Sequence, residues 1–469
     1  MHLRHMITTR LVDFCYKPVR WVFALGLMGV LPLVLLTPPL QVADEPQHFE
    51  RAYQISRLDL VGHVNGDAAG AMLPTSLSDL VRRSLGTLAI DSPRLITPRP
   101  LTTTLSGLSR PLDPERVRFT DFRGAAPYSP LPYLPQASAI ALGRLFGIGP
   151  LALLYAARFA NALTAIVLLA LAVRTAPMAR AAVAFAGLMP MALYQYASAS
   201  PDAMTIASAL LFTATAMRAT AQSWTGRTAL AAAVLGAIFC SHKPVYAPML
   251  LAGLAPVFTV TAHRVRTVVT MGFIVLVALG ATAGWWFVAN RGLMLTRTPG
   301  TDLHAQITFV FAQPVMFLLI LLANLLGQAL QNYIGMVGVI GWSAMKLPSI
   351  CYGIALAGIV LAVLIRDPHE PAMPRRTAAW QFLLVASGVL LVETALYLTW
   401  SPVGSRFIDG IQGRYFLPLL GPPLFALHTL LRLPNDEDRS RRYQVIVPAL
   451  AAAQILILNV TVASAFSVF

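Results

Sequence analysis

The sequence predicts an all-α polytopic membrane protein with about eleven to thirteen transmembrane helices and one extracytoplasmic loop subdomain after the first span. Of the 469 residues, 57% are hydrophobic and only 12% are charged, whereas a typical soluble domain carries roughly 25% charged residues. The apolar residues form runs of about 17–23 residues, which is the length that crosses the hydrocarbon core of a bilayer. Short basic clusters lie beside these runs, as in the cytoplasmic loops of membrane proteins.

Residues 1–40 are predicted to form a cytoplasmic N-terminus and the first span. The apolar run Trp21–Leu40 follows Lys17 and Arg20. The positive-inside rule therefore places the N-terminus in the cytoplasm and the end of this span outside. The run is longer than the apolar core of an ordinary signal peptide, which favours an uncleaved anchor over a cleaved signal.

Residues 41–148 are predicted to form the extracytoplasmic loop subdomain. The segment Gln41–Pro132 is polar and rich in Pro, Ser and Thr, but it keeps amphipathic stretches such as Ser76–Leu88. This pattern favours a small ordered subdomain, with partial disorder as the alternative. Tyr133–Phe146 is short and is interrupted by Arg144, so we expect it to lie flat at the membrane interface.

Residues 149–469 are predicted to form the multi-span transmembrane domain, beginning with Leu151–Val173. Within it, Val315–Trp342 combines glycines with amide side chains, which predicts broken helices or a re-entrant hairpin. The turns assigned to the cytoplasm carry the basic residues Arg174, Arg180, Arg264, Arg266, Arg375, Arg376, Arg439, Arg441 and Arg442. The predicted location is therefore the inner (plasma) membrane, with the outer turns facing the periplasm or the exterior.

The formal net charge of +15 does not indicate a nucleic-acid partner, because the excess lies in these membrane-flanking clusters. The three cysteines have no spacing typical of a disulfide or metal site, and no glycine-rich phosphate loop of Walker or Rossmann type is present. No cofactor is predicted to be required, and a divalent metal is not indicated. Membrane lipids are expected partners, and the sequence carries no prediction of the oligomeric state.

Carboxylates follow the predicted outer ends of spans. Asp44 and Glu45 come directly after the first span, and Asp202 lies in the outer turn Ser200-Pro201-Asp202. Adjacent carboxylates at a dielectric boundary can have raised pKa values, and one of them could act as a general base on an acceptor hydroxyl. The alternatives are structural, because Asp44 before Pro46 is typical of a helix N-cap and Ser-Pro-Asp is typical of a turn.

Two cations complement these acids. Lys243 stands between two apolar stretches, where a charge near the centre of the membrane costs about 3 kcal/mol, so we expect it to line a cavity or to bind a ligand. The alternative for Lys243 is snorkelling to the lipid headgroups. Arg414 lies at the outer mouth of a later span. Two cations at one face suit a phosphate or pyrophosphate, which predicts transfer of a group from a lipid phosphate or diphosphate.

The order of these motifs resembles that of the GT-C superfamily of polytopic glycosyltransferases, which use polyprenyl-phosphate sugars at the outer face. Over about the first half of the chain, the resemblance rests on Asp44-Glu45, Pro130-Leu131-Pro132-Tyr133, Leu145-Phe146-Gly147, Arg158, Asp202 and Lys243. It implies an inverting enzyme in which Asp44, Glu45 and Asp202 are catalytic. It also implies that Lys243, Arg414 and Arg158 bind the substrate phosphate.

A closer likeness, over nearly the whole chain, is to a bacterial membrane family known as a domain of unknown function, DUF2142. The motifs behind it are Asp44-Glu45-Pro46-Gln47-His48-Phe49-Glu50-Arg51-Ala52-Tyr53, Tyr128-Ser129-Pro130, Ser200-Pro201-Asp202 and Gln412-Gly413-Arg414-Tyr415-Phe416. Within them, His48, Tyr128 and Gln412 are predicted to line the acceptor site. Many relatives carry a Lys where this chain has Ser129, which leaves the phosphate to Lys243, Arg414 or Arg123.

The predicted function is therefore transfer of a sugar from a polyprenyl-phosphate donor to an extracytoplasmic glycan or lipid acceptor. One alternative is a transporter or flippase of a lipid-linked saccharide, for which internal repeats and charges at the midplane of the membrane are expected. Another is an O-antigen ligase or polymerase, which is also an outer-face enzyme but would lack an early acidic pair as its core.

Overall fold

A computed structural model describes residues 14–85, 106–259, 264–289, 293, 300–431 and 437–466. The protein is 74% helical, which confirms the all-α polytopic membrane class. The helices are α1 (Pro18–Leu36), α2 (Glu45–Ser56), α3 (Thr75–Leu85), α4 (Leu134–Leu145), α5 (Pro150–Thr175), α6 (Arg180–Gly187), α7 (Pro190–Tyr196), α8 (Asp202–Gln222), α9 (Gly226–His242), α10 (Arg264–Ala289), α11 (Leu303–Ala312), α12 (Pro314–Gly327), α13 (Ala329–Gly338), α14 (Ser349–Leu364), α15 (Arg375–Thr399), α16 (Gly421–Leu430) and α17 (Glu437–Phe466). Further segments are 3₁₀ helices at Ser106–Ser109, Leu131–Tyr133, Pro244–Phe258 and Gly413–Leu420.

Within the described residues, five helices are long and apolar enough to cross a membrane, namely α1, α5, α10, α15 and α17, and the bent pair α11 and α12 makes up to a sixth. Hydropathy predicted eleven to thirteen spans. The numbers differ because two of the predicted spans, α9 and α14, form shorter apolar helices and because proline divides other apolar runs. The predicted span Ala181–Ala197 splits before Pro190 into α6 and α7. The run that starts at Val245 forms a 3₁₀ helix containing Pro248 and Pro256.

The region predicted to hold broken helices begins slightly earlier than expected. Helices α11 and α12 meet at an angle of 104°, where Gln313 leaves the helical conformation and Pro314 starts the next helix. Helix α13 then follows almost without a loop and leads into a two-stranded hairpin of β4 (Val339–Ile340) and β5 (Met345–Lys346). Proline at the first turn of α12 has no N–H to lose, so the break falls there at little cost.

The loop subdomain contains a sheet that the sequence analysis did not predict. The strands β1 (His63–Asn65), β2 (Ala68–Pro74) and β3 (Val117–Asp121) pair antiparallel in that order. The sheet covers α2 and α3 with a separate hydrophobic core that includes Phe49, Tyr53 and Phe122. The predicted amphipathic stretch is helical up to Leu85, and residues 86–105 lie outside the described residues.

Several loops lie near the C-terminal end of α8, which is the end opposite to Asp202. Close to that end, the Thr259 hydroxyl donates to the carbonyl of Thr220, and Arg376 donates to the carbonyl of Phe258. A hydrogen bond joins His428 to Glu370 at 2.8 Å. The loops with the basic clusters at Arg366, Arg375 and Arg376 therefore lie at one end of the helical bundle.

Candidate functional site at the head of helix α8

Four of the predicted site residues form a continuous chain of ion pairs. Lys243 Nζ lies 2.7 Å from Asp202 Oδ1. Arg414 Nη2 lies 2.5 Å from Asp44 Oδ2, and its Nε lies 3.8 Å from Asp202 Oδ2. The four side chains come from different elements, and Asp44 and Arg414 are 370 residues apart in sequence. Folding therefore collects two carboxylates and two cations in one place.

Asp44 occupies the N-cap position of α2 but does not cap the helix with its side chain. Its backbone has a left-handed φ of 65°, a conformation that Asp tolerates better than most residues. Pro46, in the first turn of α2, favours helix entry at this point. The carboxylate instead contacts Arg414 and remains 46% exposed. The helix-cap alternative therefore does not describe this side chain.

The surroundings of Asp44 and His48 determine the protonation of both side chains. Partial burial raises the pKa of Asp44, but the charge of the Arg414 guanidinium and its hydrogen bond to the carboxylate outweigh this effect, so that the pKa is lowered overall. Two adjacent carboxylates at a dielectric boundary can have raised pKa values, but the direct contact of Asp44 with Arg414 reverses the direction of the shift at Asp44. Burial lowers the pKa of His48 to about 4, against the opposing effect of Asp44. An ionised carboxylate and a neutral imidazole therefore lie side by side.

Glu45 and Arg158 form a separate, fully buried ion pair. Both side chains are 0% exposed, and Arg158 donates from Nε and Nη2 to the two carboxylate oxygens at 2.8 and 2.6 Å. The other N–H groups of Arg158 donate to the carbonyls of Val34, Thr37 and Pro38 at the end of α1. All five guanidinium N–H groups are therefore engaged within the protein, and none is left for a phosphate.

The turn before Asp202 is held by buried amides that the sequence analysis missed. Asn161 Nδ2 donates to the carbonyls of Ser198 and Ser200 at 2.7 and 2.9 Å, and Gln136 Nε2 donates to the same Ser200 carbonyl. The Ala199 N–H donates to Glu45 Oε1 at 3.0 Å. The sequence contained a signal for these residues, because an amide side chain within an apolar helix usually has a hydrogen-bonding partner.

Aromatic rings enclose the Lys243 ammonium and the two histidines. Lys243 Nζ lies 4.6 Å from the centroid of the Tyr415 ring, within the range of a cation–π interaction. The rings of Tyr128 and His242 meet edge to face at 4.8 Å, and Tyr128 also stacks near His48 at 6.1 Å. The sequence analysis named Tyr128 and His48 as site residues but gave no role to His242 or Tyr415.

His242 is placed by the same turn as Asp202. Its Nδ1 forms a 2.7 Å hydrogen bond with the Thr205 hydroxyl and lies 3.8 Å from Asp202 Oδ1. Its other ring nitrogen, Nε2, is buried and has no hydrogen-bond partner among the described residues. The sequence placed His242 beside Lys243, but its burial against Asp202 depends on the packing of α9 on α8.

Two further predicted residues lie apart from the ion-pair chain. Gln412 lines a cavity of about 120 Å³ that also touches Arg414. Arg123 forms an ion pair with Asp121 at 2.5 Å, on the edge strand of the loop subdomain. In the part of the chain that the structure describes, no three His, Cys, Asp or Glu side chains lie close enough together to hold a metal ion.

Comparison with known proteins identifies a family for this chain. A family model described as "Predicted membrane protein (DUF2142)" matches residues 27–421, a range that includes the ion-pair chain and the Glu45–Arg158 pair. No curated protein and no solved structure gives a significant match. Because the family model covers far more than half of the sequence, the chain belongs to the DUF2142 family of predicted membrane proteins.

Proposed function

We propose that this protein is a glycosyltransferase of GT-C type, which transfers a sugar from a polyprenyl-phosphate donor to a hydroxyl of an extracytoplasmic glycan or lipid. The observation that carries the proposal is the ion-pair chain Asp44–Arg414–Asp202–Lys243, with Asp44 exposed at its edge. Two cations that are already gathered and partly desolvated are suited to hold a phosphate leaving group.

In the proposed reaction, Asp44 accepts the proton of the acceptor hydroxyl. The acceptor oxygen attacks the anomeric carbon of the sugar as the bond from that carbon to the phosphate oxygen breaks. The electron pair of that bond stays on the polyprenyl phosphate, and Lys243 and Arg414 stabilise the charge that develops there. Attack from the face opposite the leaving group inverts the anomeric configuration.

The remaining predicted residues receive different roles in this proposal. Asp202 holds Lys243 and Arg414 in place, since it contacts both. Glu45 and Arg158 join the end of α1, the start of α2 and the turn before Asp202, so they position the site without touching substrate. Arg123 pairs with Asp121 in the loop subdomain and does not belong to the ion-pair chain, so the phosphate is assigned to Lys243 and Arg414.

The proposed orientation places the site at the periplasmic or exterior face of a bacterial inner membrane, with a cytoplasmic N-terminus. Helix α8 supports it, because the helix starts at Asp202 and its far end lies near Arg376. Helix α8 is less apolar than the five long helices and is buried among other helices, but its 21 residues extend about 30 Å, which is the thickness of the hydrocarbon core. The polyprenyl donor would therefore reach the site from the outer leaflet.

Replacing Asp44 tests the proposed reaction. Asp44→Asn keeps the size of the side chain but removes the base, so transfer from radiolabelled polyprenyl phosphohexose to endogenous membrane acceptors should fall about 10²–10⁴-fold. The amount of folded protein should stay near the wild-type level, because Asp44 caps no helix with its side chain and is half-exposed.

The matched control is Asp121→Asn, which also removes a partly exposed carboxylate from an arginine pair but lies in the edge strand of the loop subdomain. This variant should transfer sugar at the wild-type rate. Wild-type transfer by Asp44→Asn would instead refute the base, and a transporter or flippase of the lipid-linked saccharide would then be the better description.

A further inference from the structure

A partly open recess lies beside the ion-pair chain, and none of the proposed chemistry uses it. The cavity has a volume of about 120 Å³ and is bordered by Arg414 and Ala43 on the side of the ion pairs. Its other walls come from α7, α13, the hairpin that follows α13 and the residues just before Arg414. It therefore joins the predicted site to the broken-helix region of the second half of the chain.

The lining of this cavity combines apolar side chains with several amides and a single charge. Amide side chains come from three directions: Gln195 on α7, Gln331 and Asn332 on α13, and Gln412 on the loop before Arg414. Arg414 carries the only charge among the described residues that line it. Amides donate and accept hydrogen bonds without requiring a charged partner. The lining thus suits a neutral ligand with several hydroxyl groups, attached to an anion at the Arg414 end.

One of these amides, that of Gln195, lacks a hydrogen-bond donor, and a ligand could supply one. Gln195 is 2% exposed, and its Oε1 has no hydrogen-bond partner among the described residues. Its Nε2 has only a long contact of 3.5 Å with the Met191 sulfur. A buried amide oxygen left without a donor is unfavourable, and a hydroxyl in the adjacent cavity would satisfy it.

Close packing of two glycines holds the cavity against the ion pairs. A Cβ on Gly413 would overlap the backbone of Asn332, Gly335 and Met336, and a Cβ on Gly335 would come within 3.0 Å of the Gly413 nitrogen. The segment that carries Gln412 and Arg414 therefore lies directly on α13, with no side chain between them. This contact places the amides of α13 next to the guanidinium.

We propose that this cavity binds the sugar ring of the donor, with Gln195, Gln331, Asn332 and Gln412 as its hydrogen-bonding groups. The assignment rests on the proposed function, because it takes the phosphate at Arg414 and Lys243 as given. Arg414 lies in both sites, so it joins the phosphate to the sugar. The cavity would then select for a small hexose-like ring, whereas the ion pairs recognise the phosphate of any polyprenyl carrier.

Binding of two lipids to the full chain in nanodiscs tests the inference. The wild-type protein should bind polyprenyl phosphoglucose about tenfold more tightly than bare polyprenyl phosphate. Gln195→Leu and Gln331→Leu should each reduce that preference roughly fivefold, the effect of one lost hydrogen bond, and should leave the affinity for bare polyprenyl phosphate unchanged.

Gln381→Leu is the matched control. Gln381 is also fully buried, its Oε1 is also without a partner, and its Nε2 also lies 3.5 Å from a methionine sulfur, but it does not line the cavity. Its lipid preference should equal that of the wild type. A thermal unfolding curve for each variant separates lost binding from lost folding, and all three leucine variants should unfold at or above the wild-type temperature.

The outcomes separate this inference from the proposed function. Lys243→Ala should weaken binding of both lipids to the same extent, because Lys243 lies outside the cavity. If neither lipid binds, or Lys243→Ala has no effect, the proposed function fails. If both lipids bind equally well and Lys243→Ala weakens both, only the cavity assignment is overturned. Equal competition by an alkyl glucoside without phosphate would assign the cavity to the acceptor sugar and would also overturn it.

Discussion

Two adjacent residues, Asp44 and Glu45, have opposite surroundings. The Asp44 carboxylate is 46% exposed and touches one guanidinium. The Glu45 carboxylate is 0% exposed, and it accepts hydrogen bonds from Arg158 and from the Ala199 N–H. Asp44 has a left-handed backbone conformation, whereas Glu45 is the first residue of α2. One acid is therefore available to a substrate, while the other holds the backbone.

Loss of the buried Glu45–Arg158 ion pair should lower the free energy of unfolding. Glu45→Gln leaves the Arg158 guanidinium unpaired in the interior, so the free energy of unfolding should fall by about 3–5 kcal/mol. Thermal unfolding of the purified protein in detergent measures the change. Asp79→Asn is the control, because its pair with Arg82 is 35% and 70% exposed and contributes about 0–1 kcal/mol. A Glu45→Gln protein with wild-type stability and no transfer activity would favour the catalytic role predicted from the sequence.

At the scale of elements, α2 carries a buried carboxyl that should make the loop subdomain sensitive to pH. Burial raises the pKa of Glu50 to about 8, with Asp121 adding to the increase. The native state therefore keeps this proton between about pH 4.5 and pH 8, where the unfolded chain releases it. Stability should fall as the pH rises through this window.

Glu50→Gln should abolish the part of the pH dependence of stability that comes from the Glu50 carboxyl. The unfolding temperature of the wild type should fall from pH 5 to pH 8 relative to that of Glu50→Gln, and the variant should be the more stable protein above pH 8. Comparing the two proteins at each pH cancels the titration of every other group. Parallel curves for the two proteins would show that Glu50 titrates normally.

The elements also show where sequence reasoning succeeds and where it stops. Hydropathy identified the long apolar helices such as α5 and α10 because continuous apolar runs have few other solutions in a membrane. It could not identify β2, whose Ala-Ala-Gly-Ala run has weak strand propensity. That strand depends on Gly70, where a Cβ would overlap the carbonyl oxygen of Thr120. Glycine is therefore required at position 70 only when β3 pairs with β2.

For the whole molecule, the motifs identified four charged residues that fold together, but they could not show which residue pairs with which. Asp44, Asp202, Lys243 and Arg414 were all predicted to serve one outer site, and they lie in direct contact. Arg158 belonged to the same sequence pattern, yet its partners are Glu45 and three backbone carbonyls. To distinguish Arg158 from Arg414, one needs the burial of each side chain and its distances to its partners. Both depend on how five separate elements pack.

Membrane orientation gives a prediction for the complete chain. In a variant with Cys15→Ser, the native Cys240 and Cys351 remain but are buried. A cysteine introduced at position 67 of this variant should react with a membrane-impermeant maleimide in intact cells, and one introduced at position 375 should react only after permeabilisation. The native residues at positions 67 and 375 are exposed, so accessibility does not limit the reaction. The reverse pattern would place the ion-pair chain in the cytoplasm and would contradict the proposed use of an outer-leaflet donor.

The distance along the chain between Asp44 and Arg414 has a consequence for biogenesis. During synthesis, the Glu45–Arg158 pair can form once the second long apolar helix has entered the membrane, because its partners are 113 residues apart. The contact between Arg414 and Asp44 spans 370 residues, so it must wait until most of the polypeptide has left the ribosome. A chain released before that point can bury its first helices correctly and still lack the complete ion-pair chain. If the proposed function holds, transfer activity would therefore report completion of translation and insertion, and incomplete products would remain inert in the membrane.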